Sequence, residues 1–244
     1  MREKYKGIKW IRDTFFGRIL HSLAYSLQYP ESPADEEGRL LSSEATLLRF
    51  IIALQARIGD LKSSPFTVAC HVEVIEMIDP QSSAQSSTKI PAHYGHSAWK
   101  SRSKPTNTEA ERVLGHLYRR ALAFPLMGGK VPPSLIKTKD AYCSDQCAEI
   151  ISLPYIMASV DAFLKGGSGR SVTITCLTMA IKDKDQLEFC DNCERLVNDY
   201  INTREGLKII DLASKTKYTS HGSQVMEIDE IMALGLRVQA TETR

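Results

Sequence analysis

The sequence predicts an α+β fold: a compact mixed sheet with flanking helices, preceded by an N-terminal amphipathic helical arm. Three observations predict it. Residues 66–78 and 171–181 alternate apolar and polar side chains at period two and are rich in β-branched residues. Residues 43–58 instead place Leu47, Ile51, Leu54 and Ile58 at the helical period. Strands and helices also follow one another without a regular βαβ rhythm, which disfavours a doubly wound sheet. Residues 1–40 read as arm and linker, and residues 41–244 as the α+β domain.

Each element follows from local pattern. In residues 1–23, Ile8, Ile11, Phe15, Ile19 and Leu23 share one helical face, with Phe16 and Leu20 beside them. Pro30, Pro33 and the acids between Glu31 and Glu37 then make a solvated linker. Ser43 is the expected cap of the 43–58 helix and Gly59 its stop. In the 66–78 strand, Phe66, Val68, Cys70, Val72 and Val74 lie on one face, with Thr67, His71 and Glu73 on the other. Residues 80–104 are polar and serine-rich, hence a loop. Thr108 and Glu111 form a capping box for a helix to about residue 124, and Pro125, Gly128, Gly129, Pro132 and Pro133 impose an irregular loop. A helix at 141–151 is interrupted at Pro154 and resumes through 160–164. Residues 166–170, GGSGR, turn into the 171–181 strand. Asp185 and Glu188 form a second capping box opening a helix to about residue 203, and short strands at 207–212 and 224–228 complete the domain.

Composition limits the function classes. A formal net charge of +2 does not indicate a wholesale nucleic-acid coat, so any electrostatic partner must be met by a local patch. No apolar run approaches the roughly 18 residues that span a bilayer. Arg12, Asp13 and Arg18 interrupt any secretory apolar region, so the chain reads as intracellular, meeting membranes from the cytosolic side. Its 6 cysteines are then expected as reduced thiols.

Among candidate chemistries the sharpest is a zinc-dependent deaminase, which needs a His ligand, a Glu two residues later to shuttle protons, and a Cys-x-x-Cys pair. His71 and Glu73 with Cys190 and Cys193 supply those residues. His71 and Glu73 nevertheless sit mid-strand by their period, no proline precedes Cys190, and the gap between the motifs is long. Leu187, Cys190, Cys193, Val197 and Tyr200 fall near one face of the last long helix, so core packing is the stronger reading for that pair. Cys143 and Cys147, at i and i+4, invite a structural zinc with His116 or His221, but the irregular spacing again favours packing, and no metal or cofactor is expected. His93 and His96 read as solvated loop histidines. Ser168 lacks the elbow of a hydrolase nucleophile, and Gly128-Gly129-Lys130 lacks phosphate-loop spacing. No catalytic residue is assigned, and no small-molecule substrate is expected.

Binding features are stronger. Lys4, Lys6, Lys9, Arg12 and Arg18 would hold anionic headgroups while Trp10, Phe15 and Phe16 insert, and Lys9 and Arg12 within the apolar arc suit snorkelling at an interface. The arm must then stand at least partly free of the core. Lys89, Trp99, Lys100, Arg102 and Lys104 form a basic, aromatic loop suited to lipid or RNA. A host-directed accessory protein using that loop on RNA is a further reading.

The order of these parts resembles the matrix proteins of rhabdoviruses. Lys6-Gly7-Ile8-Lys9-Trp10-Ile11-Arg12 and Tyr29-Pro30-Glu31-Ser32-Pro33 stand where that family has a basic, aromatic N-terminal segment and a Pro- and acid-rich linker. Phe66-Thr67-Val68-Ala69-Cys70-His71-Val72-Glu73-Val74 is similar to the first strand of its domain. Gly115-His116-Leu117 and Leu126-Met127-Gly128-Gly129-Lys130-Val131-Pro132-Pro133 resemble the following helix and loop, and Val172-Thr173-Ile174-Thr175-Cys176-Leu177-Thr178-Met179 a later strand. Where many members carry Pro-Pro-x-Tyr, this chain has Tyr29-Pro30, so recruitment of budding machinery by that motif is not expected. The resemblance implies a non-enzymatic protein of a negative-strand RNA virus that self-associates as a homo-oligomer, contacts the nucleocapsid and binds anionic lipid beneath the envelope. Location in the virion, the host cytoplasm, the inner membrane surface and the nucleus would follow from it.

Overall fold

The computed structural model describes residues 15–29, 34–38, 41–58, 67–81, 90–97 and 147–233. The strands are β1 (Val68–Ile78), β2 (His93–His96), β3 (Ser171–Ala180), β4 (Gln186–Leu187), β5 (Leu207–Asp211), β6 (Thr216–Thr219) and β7 (Gly222–Val225). The helices are α1 (Phe15–Gln28), α2 (Ser43–Ile58), α3 (Glu149–Lys165), α4 (Asp191–Ile201) and α5 (Ile228–Ala233). The seven strands make one mixed sheet in the order β2-β1-β3-β5-β6-β7, with β4 pairing β3 where β5 has ended. Only β3 and β5 are parallel, and α4 lies on the crossover that such a pair requires. The fold is therefore α+β, as the sequence predicts.

Helices cover both faces of the sheet, and residue alternation sorts the core into two layers. Cys70, Val72, Ile174 and Cys176 pack against Leu153, Met157 and Val160 of α3 and Leu196, Val197 and Tyr200 of α4. Ala69, Leu177 and Met179 point the other way, onto Leu47, Phe50, Ile51 and Leu54 of α2. The central strands β1 and β3 are thus enclosed on both sides. His71, on the α2 side, is buried despite its polarity because that face too is covered.

The helix Phe15–Gln28 is packed along the edge strand β2. Ile19 reaches Ile151 and Tyr155 of α3 on one side. Tyr25 reaches Tyr94 and Phe50 on the other, with ring centroids 4.7 Å away in each case. Two backbone groups of β2 are bonded by side chains of this helix. Ser26 Oγ accepts from the Tyr94 N–H at 3.2 Å, and Arg18 Nη1 donates to the His96 carbonyl at 3.4 Å. A helix here does what a neighbouring strand otherwise would.

Several local expectations are corrected. Ser42, not Ser43, caps α2, its Oγ accepting from the Ala45 N–H. α3 runs unbroken through Pro154, because a proline near the start of a helix removes one hydrogen bond while Leu153, Ile156 and Met157 around it are buried. The Asp185–Glu188 capping box does not form: Lys184 turns the chain at φ 65° and Gln186–Leu187 pairs with β3, so the helix opens only at Asp191. The expected loop around residue 94 is the strand β2, and the last expected strand is a hairpin, β6–β7, followed by α5 from Ile228. Cys147 precedes α3 rather than riding on it. The expected helix of residues 108–124 and the loop of residues 125–133 lie outside the described residues.

Gly95 shows how tightly β2 sits under α3. A Cβ there would stand 2.5 Å from Ser152 Oγ and 2.6 Å from the Ala148 carbonyl, and the latter is backbone that cannot turn aside. Gly95→Ala should therefore cost about 1–3 kcal/mol by overpacking, seen as a lower urea midpoint with an unchanged m-value.

Candidate functional site

Three cysteines from two distant stretches of chain meet at the N-terminal ends of α3 and α4. Cys147 Sγ lies 3.5 Å from Cys190 Sγ, which lies 3.5 Å from Cys193 Sγ, and the three sulfurs are all within 4.8 Å of one another. Cys190 is exposed, Cys147 half-buried and Cys193 buried. All three are free thiols. Cys190 holds the N-cap position of α4. The thiols of Cys147 and Cys193, and the backbone N–H groups of Cys193 and Asn192, hold the Cys190 sulfur's pKa well below the usual thiol range. The hydrogen bond with Cys190 and burial push Cys147 up, and hydrogen bonds with Cys147 and Cys190 together with burial push Cys193 up.

Behind the cluster stands Glu149, the first residue of α3. Its Oε2 is 3.2 Å from Cys193 Sγ, and its Oε1 accepts from Thr178 Oγ1 of β3 at 2.6 Å. Burial raises its pKa. The cluster is thereby tied to the sheet. Among the described residues it is the one group of His, Cys, Asp and Glu atoms close enough to share an ion.

The deaminase set is not brought together. His71 and Glu73 sit on the α2 face, where the His71 ring packs 5.0 Å from that of Tyr94. Cys193 contacts Glu149 and, through it, Thr178, which pairs with Cys70 and shares the α3–α4 face. The sheet stands between the two halves. Of the Cys190 and Cys193 pair, expected to pack in the core, Cys193 is buried but Cys190 is exposed, so packing does not account for the pair. Cys70 and Cys176, 3.3 Å apart and fully buried, are the pair that packing does explain.

The attachment residues divide three ways. Lys4, Lys6, Lys9, Trp10 and Arg12 lie outside the described residues, as do Lys89, Trp99, Lys100, Arg102, Lys104, Cys143 and His116. Phe15 and Phe16 begin α1. Arg18 is a correction: it is fully buried against β2, with burial lowering its pKa to about 10, so it does not face a headgroup. Ser168 is in an exposed turn, and His221 in the exposed β6–β7 turn. An open cleft of about 310 Å³ is lined by Glu188, Glu194, Asp211 and Tyr218 among others. Asp211, though, is engaged by the Phe189 and Ala213 N–H groups and the Ser214 hydroxyl.

Comparison with protein-family models, with curated proteins and with solved structures finds no match to this chain. Among the described residues, no helix is long and apolar enough to cross a membrane.

His93 and His96, expected in solvent, are buried in β2. The His93 ring stacks on Tyr155 at 4.6 Å and 7°. Burial lowers its pKa to about 4, and burial followed by the Arg18 charge lowers that of His96 to about 3. Below the unfolded histidine pKa of about 6.5, the unfolded chain binds protons that the folded chain refuses. Stability should therefore fall as pH drops from about 6.5 toward 4, by about 1.4 kcal/mol per pH unit for each such histidine. His93→Phe keeps a ring on Tyr155 and should flatten that slope by one proton's worth in urea titrations at stepped pH.

Proposed function

We propose that the chain is a non-enzymatic, matrix-like attachment and assembly protein of an enveloped negative-strand RNA virus. It binds the inner face of an anionic membrane, self-associates and contacts the nucleocapsid. The observation that carries the reading is the outer face of α1. This helix presses one side onto β2, yet Leu20 and Leu27 are 60% and 72% exposed, and Ala24 between them is exposed as well. An apolar stripe at i, i+4 and i+7 thus directly follows a segment bearing Lys4, Lys6, Lys9 and Arg12 around Trp10. The arm is expected to stand partly free of the core, but its residues 15–28 are docked on β2, so the proposed attachment is one in which this helix stays in place. A docked helix can present its outer stripe to the interface while the preceding segment supplies cations. The exposed hairpin strand β7 supports self-association, because an edge strand offers backbone groups to a second copy. The virion's inner surface and the host cytoplasm are the locations this reading entails.

Flotation with vesicles containing phosphatidylserine tests it. The full chain should float at low salt and detach as salt rises. At about 1 kcal/mol per basic residue near an anionic surface, neutralising Lys4, Lys6, Lys9 and Arg12 should weaken binding roughly a hundredfold or more. Leu20→Asp with Leu27→Asp should weaken it further. Equal flotation of all these variants would overturn the proposal.

A further inference from the structure

We propose that Cys147, Cys190 and Cys193 bind one zinc ion where the N-terminal ends of α3 and α4 meet. Tetrahedral zinc at a Zn–S distance of about 2.3 Å holds thiolate sulfurs about 3.8 Å apart. The Cys147–Cys190 and Cys190–Cys193 separations of 3.5 Å are close to that spacing, and no sulfur needs to cross the sheet to reach the others. The buried pair Cys70 and Cys176 provides the contrast: two close sulfurs, but no third donor among the described residues and no solvent-facing member. At the proposed site the exposed Cys190 supplies an access route, and a trio of soft sulfur donors selects zinc over calcium or magnesium.

The surroundings suit thiolates. Cys190 holds the N-cap position of α4, where the positive end of the helix dipole lies. The buried Arg18 guanidinium interacts favourably with negative charge on Cys147. Zinc enters as the dication and is bound by three thiolates, the remaining thiol protons leaving to solvent, so that the ZnS₃ unit has net charge −1, which that guanidinium offsets. One coordination position remains for water or another fourth donor. Glu149, anchored on Thr178 with its Oε2 3.2 Å from Cys193 Sγ, ties the neighbourhood of the site to β3. The ion would be architectural, stapling the chain that enters α3 to the start of α4.

The experiment uses tag-free full-length protein, reduced, stripped with a chelator and reconstituted with zinc, and measures metal by mass spectrometry. One zinc per chain is expected. Chelation should lower the melting temperature of the wild type and leave Cys190→Ser unchanged. That variant, altered at an exposed position, should bind zinc more weakly by roughly tenfold or more, whereas Cys176→Ala should retain it. Cobalt in place of zinc should give thiolate-to-metal charge-transfer absorption in the wild type, a readout that needs no variant. Absence of zinc and of that absorption after reconstitution would overturn the proposal. So would an unchanged zinc affinity in Cys190→Ser.

Discussion

The edge of β2 is the constraint on which the rest of this structure depends. A four-residue strand at the end of a sheet has backbone donors and acceptors with no strand beyond it, and here they lie in the interior rather than in water. An unsatisfied buried N–H or C=O costs on the order of 1–3 kcal/mol. Ser26 and Arg18 meet that need from one helix, at the Tyr94 N–H and the His96 carbonyl. Once α1 is held there, Ile19 and Tyr25 are delivered to opposite faces of the sheet, and the two core layers are joined around its edge. A buried guanidinium is expensive to desolvate, and the lowered pKa of Arg18 records that cost. The protein bears it where a buried strand edge needs partners.

The second organising feature is the double coverage of β1 and β3. Neighbouring residues on such strands live in different compartments. Cys70 belongs to the α3–α4 layer, and His71 packs with Tyr94 and the α2 layer. Motif spacing in one dimension therefore says little about proximity across a sheet. His71 and Cys193 carry suitable chemistry but lie in opposite layers. Cys147 and Cys190, which share no motif, are brought within hydrogen-bonding reach by the packing of α3 beside α4.

What was legible in the sequence was the regular part. The alternation of 66–78 and 171–181 marks β1 and β3 to within two residues, and Leu47, Ile51 and Leu54 are the buried face of α2 as their spacing says. Long periodic segments carry their own signal. β2 does not: His93-Tyr94-Gly95-His96 is too short for a period and too polar by composition, and it is a strand because β1 and α1 enclose it. The same tertiary override hid the role of Arg18, which reads as one more cation in a basic arm. Gln186–Leu187 reads as the first turn of a helix because Asp185 and Glu188 mimic a capping box, whereas β3 has a vacant pairing position beyond β5. At the cysteine site the paired spacings were visible, but their convergence depended on where α3 begins.

The contact between Gly95 and the Ala148 carbonyl has a consequence for how this chain can change over time. Any side chain at position 95 meets the backbone at the start of α3, so that position can change only if α3 shifts with it. Because α3 also holds Glu149 on Thr178 of β3, such a shift would pull on the sheet as well. A replacement of Gly95 is therefore conditional on replacements in the helix above it, and the two places vary together or not at all.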